Sequence, residues 1–129
     1  MSMQDTQQDP RTAATVAVIR AFDEAIRRRD IEAIMALSTE DVVWETTTPP
    51  DGERYEGKEA VRRGLEEFFR SSPEAVFEIE ELVALGERAF FTWVYRWEDA
   101  EGKPGHVRGV DTVRVRDGKI AETCAYVKG

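Results

Sequence analysis

The sequence predicts an α+β domain in which helices cover one face of a mostly antiparallel sheet. Apolar residues recur at helical spacing within residues 10–37 and 58–69, whereas residues 75–127 alternate between apolar and polar positions. Asp117-Gly118 lies between two alternating segments and is a strong signal for a β-hairpin. Strands joined by tight turns pair antiparallel, so the helices are expected to gather on one side of the sheet.

Three helices are predicted, each from its own boundary signals. Asp9-Pro10 supplies an N-cap and a first-turn proline for a helix over residues 10–28. Asp30 caps a short second helix, and a third helix begins after Gly57 and ends at Ser71-Ser72-Pro73. Their predicted apolar stripes are Val16, Ile19, Phe22 and Ile26; Ile31, Ile34 and Leu37; and Val61, Leu65, Phe68 and Phe69.

Strands account for most of the remaining chain. The first contains residues 42–44 and ends before the loop 48–52, which is rich in proline and glycine. The other predicted strands are residues 75–85, 89–98, 106–116 and 119–127. The element order is therefore helix, helix, strand, helix and four strands, with no internal repeat and no second domain.

Length and charge limit the classes of protein that the chain can belong to. A chain of 129 residues fits one domain, which buries about two-thirds of its unfolded surface and needs no disulfide or metal for stability. Residues 1–8 predict a flexible N-terminus, and residues 9–129 form the single domain. The net charge of −8 argues against a nucleic-acid partner. The basic run Arg27-Arg28-Arg29 is interpreted as the solvated end of the first helix.

Several kinds of site are excluded by the residues that the sequence lacks. Cys124 is the only cysteine, so no intrachain disulfide can form, and a reducing, cytoplasmic location is expected. His106 is the only histidine, which excludes zinc sites with two histidines, and no carboxylate motif for a metal is present. Without a phosphate-binding loop or dinucleotide fingerprint, no cofactor is expected. No apolar run predicts a signal peptide or a membrane span, so no membrane partner is expected.

Asp111 is the candidate for chemistry that the strand pattern singles out. In a strand over residues 106–116, Asp111 is the only charged residue on the face that also carries Val107, Gly109, Val113 and Val115. A carboxyl on an apolar face must be protonated, paired or open to a pocket, and each of these perturbs its pKa. Gly109 leaves room beside it for another group to approach closely. A structural carboxyl bonded to backbone or to an arginine is the alternative.

The preceding strand predicts an aromatic wall. Ala89, Phe91, Trp93, Tyr95 and Trp97 share one face of it. Such a wall suits a flat apolar ligand, with Tyr95 as a hydrogen-bond donor. By itself the pattern is more typical of ordinary core packing, and the neighbouring Asp111 favours a pocket. Glu45, near the end of the first strand, can face inward only through a bulge.

Three stretches resemble the nuclear transport factor 2-like superfamily and, within it, the SnoaL-like branch. They are residues 22–44, which end in Asp41-Val42-Val43-Trp44; Gly57-Lys58-Glu59-Ala60-Val61; and residues 108–122 around Asp111. The resemblance spans about residues 12–127. It implies a cone-shaped fold, with a curved, mostly antiparallel sheet and three helices packed on its concave face. Because this fold carries enzymes and non-enzymes alike, the resemblance speaks for fold more strongly than for activity.

Carried over residue by residue, the resemblance implies a role for Asp111. It falls where SnoaL-like polyketide cyclases place a catalytic acid/base and where ketosteroid isomerases place a protonated aspartate. The isomerase tyrosine falls on Phe22 and the isomerase base on Thr46, next to Glu45. Positions that limonene epoxide hydrolases use fall on Trp93, Tyr95 and Ala125, so that activity is expected to be absent.

Three functions follow as hypotheses. The first is a cofactor-independent lyase or isomerase of the polyketide cyclase kind, acting on a flat, apolar, carbonyl-containing molecule. The second is a non-catalytic module that binds such a molecule, and the third is a dimerisation domain whose polar sheet face, with Arg108, Arg114 and Arg116, meets a partner. A homodimer through the sheet is compatible with all three. The predicted catalytic residues are Asp111, Tyr95 and Glu45, and the predicted substrate contacts are Phe22, Trp44, Thr46, Phe91, Trp93 and Ala125.

Overall fold

The computed structural model describes residues 9–128, so the expectation for residues 1–8 lies outside the described part of the chain. The elements alternate in an order close to the predicted one. The helices are α1 Pro10–Arg28, α2 Ile31–Ala36 and α3 Lys58–Ser71. The strands are β1 Ser38–Glu45, β2 Arg54–Glu56, β3 Val76–Leu85, β4 Arg88–Glu98, β5 Pro104–Arg116 and β6 Lys119–Val127.

All six strands form one curved, open sheet in the order β2-β1-β6-β5-β4-β3. Every neighbouring pair is antiparallel except β1 and β6, which are parallel. Register shifts interrupt β3 between Ile79 and Glu81 and β5 between Arg114 and Val115. Because bulges bend and twist a strand, they contribute to the curvature of the sheet. The predicted α+β class, with three helices and a mostly antiparallel curved sheet, is confirmed.

The boundary signals of α1 act as the sequence predicts. The Asp9 side chain accepts hydrogen bonds from the backbone N–H groups of Arg11 and Thr12, at 2.8 and 3.4 Å. On the exposed face, Arg27 pairs with Asp23 at 3.2 Å. The helix ends where Arg29 adopts a left-handed φ of 57°. Asp30 then caps α2 by accepting from the N–H of Ala33.

The hydrophobic core lies between the helices and the concave face of the sheet. Ile19, Ile34, Val61 and Leu65, from all three helices, are fully buried there. They pack with strand residues that the alternation placed on the same face, such as Val113. The core fills one end of the concave face, and the cavity described below occupies the other end.

The tight turns also follow from sequence. Asp117 and Gly118 both take positive φ, at 54° and 76°, which a two-residue hairpin turn between twisted strands requires. The turn at Gly86 is held against α1, because Thr12 Oγ1 accepts from the Gly86 N–H at 2.8 Å and Thr15 Oγ1 donates to its carbonyl at 2.7 Å. Neither threonine stands out in the sequence, since their polar atoms are satisfied by a residue more than seventy positions away.

Three differences from the predicted elements exceed one residue. β1 begins at Ser38, not at residue 42, because Ser38 and Thr39 are buried polar residues that give no apolar signal. β2 is absent from the prediction, since a strand of three residues between glycines is too short for alternation to appear. β5 begins at Pro104, not at residue 106, because a strand tolerates a proline as its first residue. Between residues 9 and 128, no helix has both the length and the apolar character needed to cross a membrane.

Candidate functional site

A cavity of about 430 Å³ opens between the concave face of the sheet and the ends of α1 and α3. This volume is in the usual range of small-molecule sites. Its wall is mostly apolar and aromatic. The lining residues are Ile26, Trp44, Glu45, Thr46, Thr47, Phe68, Ser72, Phe77, Trp93, Tyr95, Trp97, Val107, Asp111, Thr123, Ala125 and Val127.

Asp111 is an acid in this apolar wall. On β5 it lies between Phe91 of β4 and Ala125 of β6. The hydrogen bond found for its carboxyl is donated by the indole N–H of Trp93, with 2.8 Å between Nε1 and Oδ1. Desolvation raises the pKa of Asp111 from 3.8 to about 7, and the Trp93 bond, which favours the carboxylate, lowers that pKa in part. At neutral pH the carboxyl is therefore available both as a base and as an acid.

The Trp93 bond depends on Gly109. Trp93 is the cross-strand partner of Gly109, and its indole crosses the glycine to reach Asp111 two residues further along β5. A Cβ at position 109 would lie 2.4 Å from Cζ2 of Trp93 and 2.3 Å from the backbone oxygen of Tyr126. The prediction that Gly109 allows another group to approach closely is confirmed, and that group is Trp93.

The aromatic wall continues toward the cavity mouth. Tyr95 follows Trp93 on the same face of β4, and its ring is tilted against Trp97 and Phe68, with centroids 5.9 and 5.8 Å apart. Trp97 lies over Gly105 as Trp93 lies over Gly109. The rings of Phe77 and Trp93 are 5.6 Å apart deeper in the wall. A flat ligand can therefore contact aromatic carbon from Trp93 to Trp97 of β4.

Glu45 has a different environment from Asp111. Its Oε2 accepts from Arg54 at 2.6 Å and its Oε1 from the Cys124 thiol at 3.3 Å. These hydrogen bonds, that of Cys124 first, lower the pKa of Glu45. Cys124 is opposite Thr112 on β5, so it lies on the other face of the sheet from Asp111. Glu45 lines the cavity, but its carboxylate is ion-paired on the Cys124 side of the sheet, with neither oxygen bonded to Asp111.

Most predicted site residues line the cavity. Those that do are Asp111, Tyr95, Glu45, Trp44, Thr46, Trp93 and Ala125. Phe22 and Phe91 do not reach it, because both are buried in the core, at 5% and 1% exposure. The edge of the Phe22 ring contacts Trp44, with centroids 6.0 Å apart, and Phe91 contacts Phe77 in the same way. Both phenylalanines therefore support residues of the wall.

Sequence reasoning missed part of the wall for two different reasons. Thr123 and Val127 share the face of β6 that carries Ala125, so the same alternation applied to β6 would have found them. Ile26 and Phe68 come from the helices, where the apolar spacing predicts that both belong to the core stripe. Phe68 is 39% exposed at the mouth, because α3 ends there and the sheet curves away from it. No local pattern marks that difference.

Arg29 fixes the wall near α3, which corrects its interpretation as part of a solvated helix end. Its guanidinium donates to the carbonyl oxygens of Phe69, Ser72 and Ala75, at 3.1, 2.8 and 3.0 Å. It also lies 5.3 Å from the centroid of the Phe69 ring. The left-handed conformation at residue 29 turns its side chain away from the direction of Arg28. Arg29 thereby holds the segment that contributes Phe68 and Ser72 to the cavity.

We expect Arg29→Ala to lower the free energy of unfolding by about 2 kcal/mol, since part-buried hydrogen bonds from a charged donor contribute roughly that much. Arg28→Ala is the matched control. Arg28 forms an exposed pair with Glu24 at 3.5 Å, and such pairs contribute about 0.5 kcal/mol or less. Urea denaturation of both variants provides the measurement. Equal losses for the two variants would show that the three carbonyl contacts do not stabilise the wall.

Among residues 9–128, no group of three or more His, Cys, Asp or Glu side chains is arranged to hold a metal ion. The chemistry considered below uses the side chains of the cavity itself.

Comparison with known proteins places the chain in a family. The model of the SnoaL-like domain matches residues 18–123. The chain belongs to the SnoaL-like family. No curated protein matches it. Among solved structures, an NTF2-like protein of unknown function from Mesorhizobium loti is 37% identical, with a TM-score of 0.80 and coverage of 94% of this chain and 96% of that one.

Two further structures share the fold of this SnoaL-like protein at lower identity. One from Jannaschia sp. CCS1, provisionally named a SnoaL-like polyketide cyclase, is 13% identical, with a TM-score of 0.81 and coverage of 94% and 90% of the two chains. One from Kribbella flavida, provisionally named a ketosteroid isomerase, is 24% identical, with a TM-score of 0.77 and coverage of 92% and 80%. At these identities the likeness is one of fold.

Proposed function

We propose that this SnoaL-like protein is a cofactor-independent lyase or isomerase, of the polyketide cyclase kind, that moves a proton next to a carbonyl group. The observation that carries the proposal is the Asp111 carboxyl, in an apolar cavity with one Trp93 hydrogen bond and a pKa of about 7. A general base works best when its pKa lies near the operating pH. The provisional names of two structural relatives agree with this class of reaction.

In the proposed step, the Asp111 carboxylate takes a proton from the carbon next to the carbonyl. The electron pair of the broken C–H bond forms an enolate, whose negative charge lies on the carbonyl oxygen. Asp111, now protonated, returns the proton to another atom of the same molecule or to the product. Trp93 holds the carboxylate in place. A positioned base of this kind accelerates a reaction about 10²–10⁴-fold.

The remaining predicted site residues have binding roles in this proposal. The flat body of the ligand lies along the rings of Trp93 and Tyr95, and the Tyr95 hydroxyl donates to a ligand oxygen. Phe91 is the cross-strand partner of Asp111, and Tyr95 lies four residues further along β4. The backbones of Phe91 and Tyr95 are therefore about 13 Å apart. Glu45 and Thr46 belong to the wall beside Trp44, and Ala125 leaves space above Asp111.

A simple ketone tests the proton transfer without knowledge of the natural substrate. 2-Tetralone is a fused bicyclic ketone with exchangeable protons at C1, and their replacement by deuterium in D₂O can be followed by proton NMR. We expect the protein to accelerate this exchange above the buffer rate, with a rise across pH 7 as Asp111 loses its proton. Asp111→Asn should lower the protein-dependent rate by about 10² or more. Asp41→Asn, whose carboxylate is paired with Arg116 away from the cavity, is the control.

The alternative function is a binding module without catalysis. The observation that favours it is Glu45, the other acid of the cavity wall, which is occupied by Arg54 and Cys124. If Asp111→Asn exchanges 2-tetralone as fast as the native protein does, the catalytic proposal is wrong. Native mass spectrometry that recovers an unchanged bound compound would then support the binding module.

We also propose a homodimer through the outer face of the sheet and a cytoplasmic location. Large apolar side chains are exposed on that face, among them Val83, Leu85 and Tyr126. Of the arginines expected to meet a partner, Arg108 and Arg116 already pair with Glu80 and Asp41 of the same chain. The proposed contact therefore relies on apolar burial. Light scattering at micromolar concentration tests it, and a monomer would contradict it.

A further inference from the structure

One hydrogen-bond donor of the cavity wall lacks an acceptor within residues 9–128. It is the indole N–H of Trp44, whose nitrogen is buried. The chain has three tryptophans, and the other two differ: Trp93 donates to Asp111, and Trp97 is 37% exposed at the mouth. A buried donor without an acceptor destabilises the folded protein, because it has lost its hydrogen bond to water and gained none. A ligand oxygen that accepts from Trp44 would recover this energy.

The position of Trp44 relative to Asp111 suits one ligand that meets both. Trp44 on β1 is beside Thr123 on β6, and Ala125, two residues further, is the partner of Asp111 on β5. Two strand spacings and two residues correspond to about 12 Å between the two backbones. Both side chains line the same cavity, so the space left between them is the size of one or two fused rings.

The indole of Trp44 is also held in place. The edge of the buried Phe22 ring packs against it, with centroids 6.0 Å apart and an angle of 66° between the ring planes. On the strand side, Tyr55 of β2 is its cross-strand partner. A donor that is already ordered loses little conformational entropy when it binds an acceptor.

We infer that the Trp44 indole N–H donates to a carbonyl oxygen of the ligand, and that the cavity selects fused-ring ketones over hydrocarbons of the same shape. This inference rests on the proposed function only in taking the acceptor to be a carbonyl. Trp44 is thereby a specificity-determining residue. The selection arises because a hydrocarbon leaves the buried N–H without an acceptor, whereas a ketone satisfies it.

Indole N–H resonances provide a direct test. The ¹⁵N-labelled protein has three of them, one from each tryptophan, and the variants Trp44→Phe and Trp97→Phe assign two by their disappearance. We expect 2-tetralone to move the Trp44 resonance downfield, as a new hydrogen bond does, and tetralin, the hydrocarbon of the same ring system, to leave it unshifted in that direction. An equal response to the two probes would overturn the inference.

Affinity provides the second readout. Trp44→Phe keeps an aromatic ring and removes the donor, so it should weaken 2-tetralone binding about 5- to 10-fold more than it weakens tetralin binding. Trp97→Phe is the matched control, because it makes the same replacement at the rim and should not reduce the preference for the ketone. If the native protein shows no preference for 2-tetralone over tetralin, or if Trp44→Phe retains it, the inference is wrong.

The two proposals can fail separately. Binding of 2-tetralone and the Trp44 resonance report on the donor, whereas deuterium exchange in the native protein and in Asp111→Asn reports on the base. Ketone selectivity that depends on Trp44 without any exchange would support the inference and reject the proton transfer. Exchange that depends on Asp111 without ketone selectivity would do the reverse.

Discussion

Asp111→Asn is expected to make the protein more stable at pH 8, by up to about 4 kcal/mol, while it removes the proposed base. Burial raises the pKa of Asp111 from 3.8 to about 7, so the folded state holds a proton that the unfolded state releases more readily. A pKa that is raised by about three units corresponds to about 4 kcal/mol, at 1.36 kcal/mol per pKa unit. Asparagine has nearly the same shape, and its carbonyl oxygen can still accept from Trp93.

The pH window of this gain follows from proton binding. Below about pH 4 both states of the native protein are protonated at Asp111, and the variant gains nothing. Between about pH 4 and 7 the folded state binds more protons than the unfolded state, so the native protein loses stability as the pH rises. Above pH 7 the penalty is fully developed, and the advantage of the variant reaches its maximum.

Urea denaturation at pH 5 and pH 8 measures the difference. Asp41→Asn is the control, because hydrogen bonding to Arg116 lowers the pKa of Asp41 and its replacement should not stabilise the protein at either pH. A constant effect of Asp111→Asn at both pH values would contradict the raised pKa. If Asp111→Asn is more stable than the native protein but no longer catalyses deuterium exchange, then Asp111 is kept for activity at the expense of stability.

Gly109→Ala is expected to lower the free energy of unfolding by about 2–4 kcal/mol, which is the range of severe overpacking. The new Cβ would lie 2.3 Å from the backbone oxygen of Tyr126 and 2.4 Å from the Trp93 ring. A side chain can rotate away from such a contact, but a backbone oxygen moves only if β6 shifts relative to β5. Denaturant unfolding provides the measurement.

Gly105→Ala is the matched control on the same strand. There the three atoms nearest to a Cβ all belong to the Trp97 indole, the closest at 2.7 Å, and that ring is partly exposed at the mouth and can swing outward. We expect a clearly smaller loss. In Gly109→Ala the displaced Trp93 should also release Asp111, raising the pKa of its carboxyl and moving the exchange profile to higher pH. Equal losses in the two variants would refute the role of the Tyr126 contact.

Local signals in the sequence predicted the helices and one face of the sheet well. The cap at Asp9 and the apolar stripe placed α1 at its observed bounds, because both signals act within one or two turns. Alternation along β5 placed Asp111 on the apolar face, where the structure has it. The aromatic wall on β4 followed from the same period of two residues.

What the sequence did not reveal depends on contacts between distant segments. The environment of Glu45 is set by Arg54, which belongs to the short β2, and by Cys124 on β6. Arg29 has the same residue type as its two neighbours in the sequence, but in the structure its side chain donates to three carbonyls forty or more residues away. The cavity joins residues from α1, α3 and five of the strands, so its outline exists only in the assembled fold.

The parallel pairing of β1 with β6 has a consequence for how this cavity comes into existence. β6 lies between β1 and β5, so the segment from β1 to α3 and the β3-β4-β5 meander share no strand pairing until residues 119–127 are in place. During synthesis on a ribosome, β1 can pair with the nearby β2, but its other partner, β6, is made more than seventy residues later. Loop closure over such distances slows folding, and the wall that holds both Trp44 and Asp111 is completed in this late step.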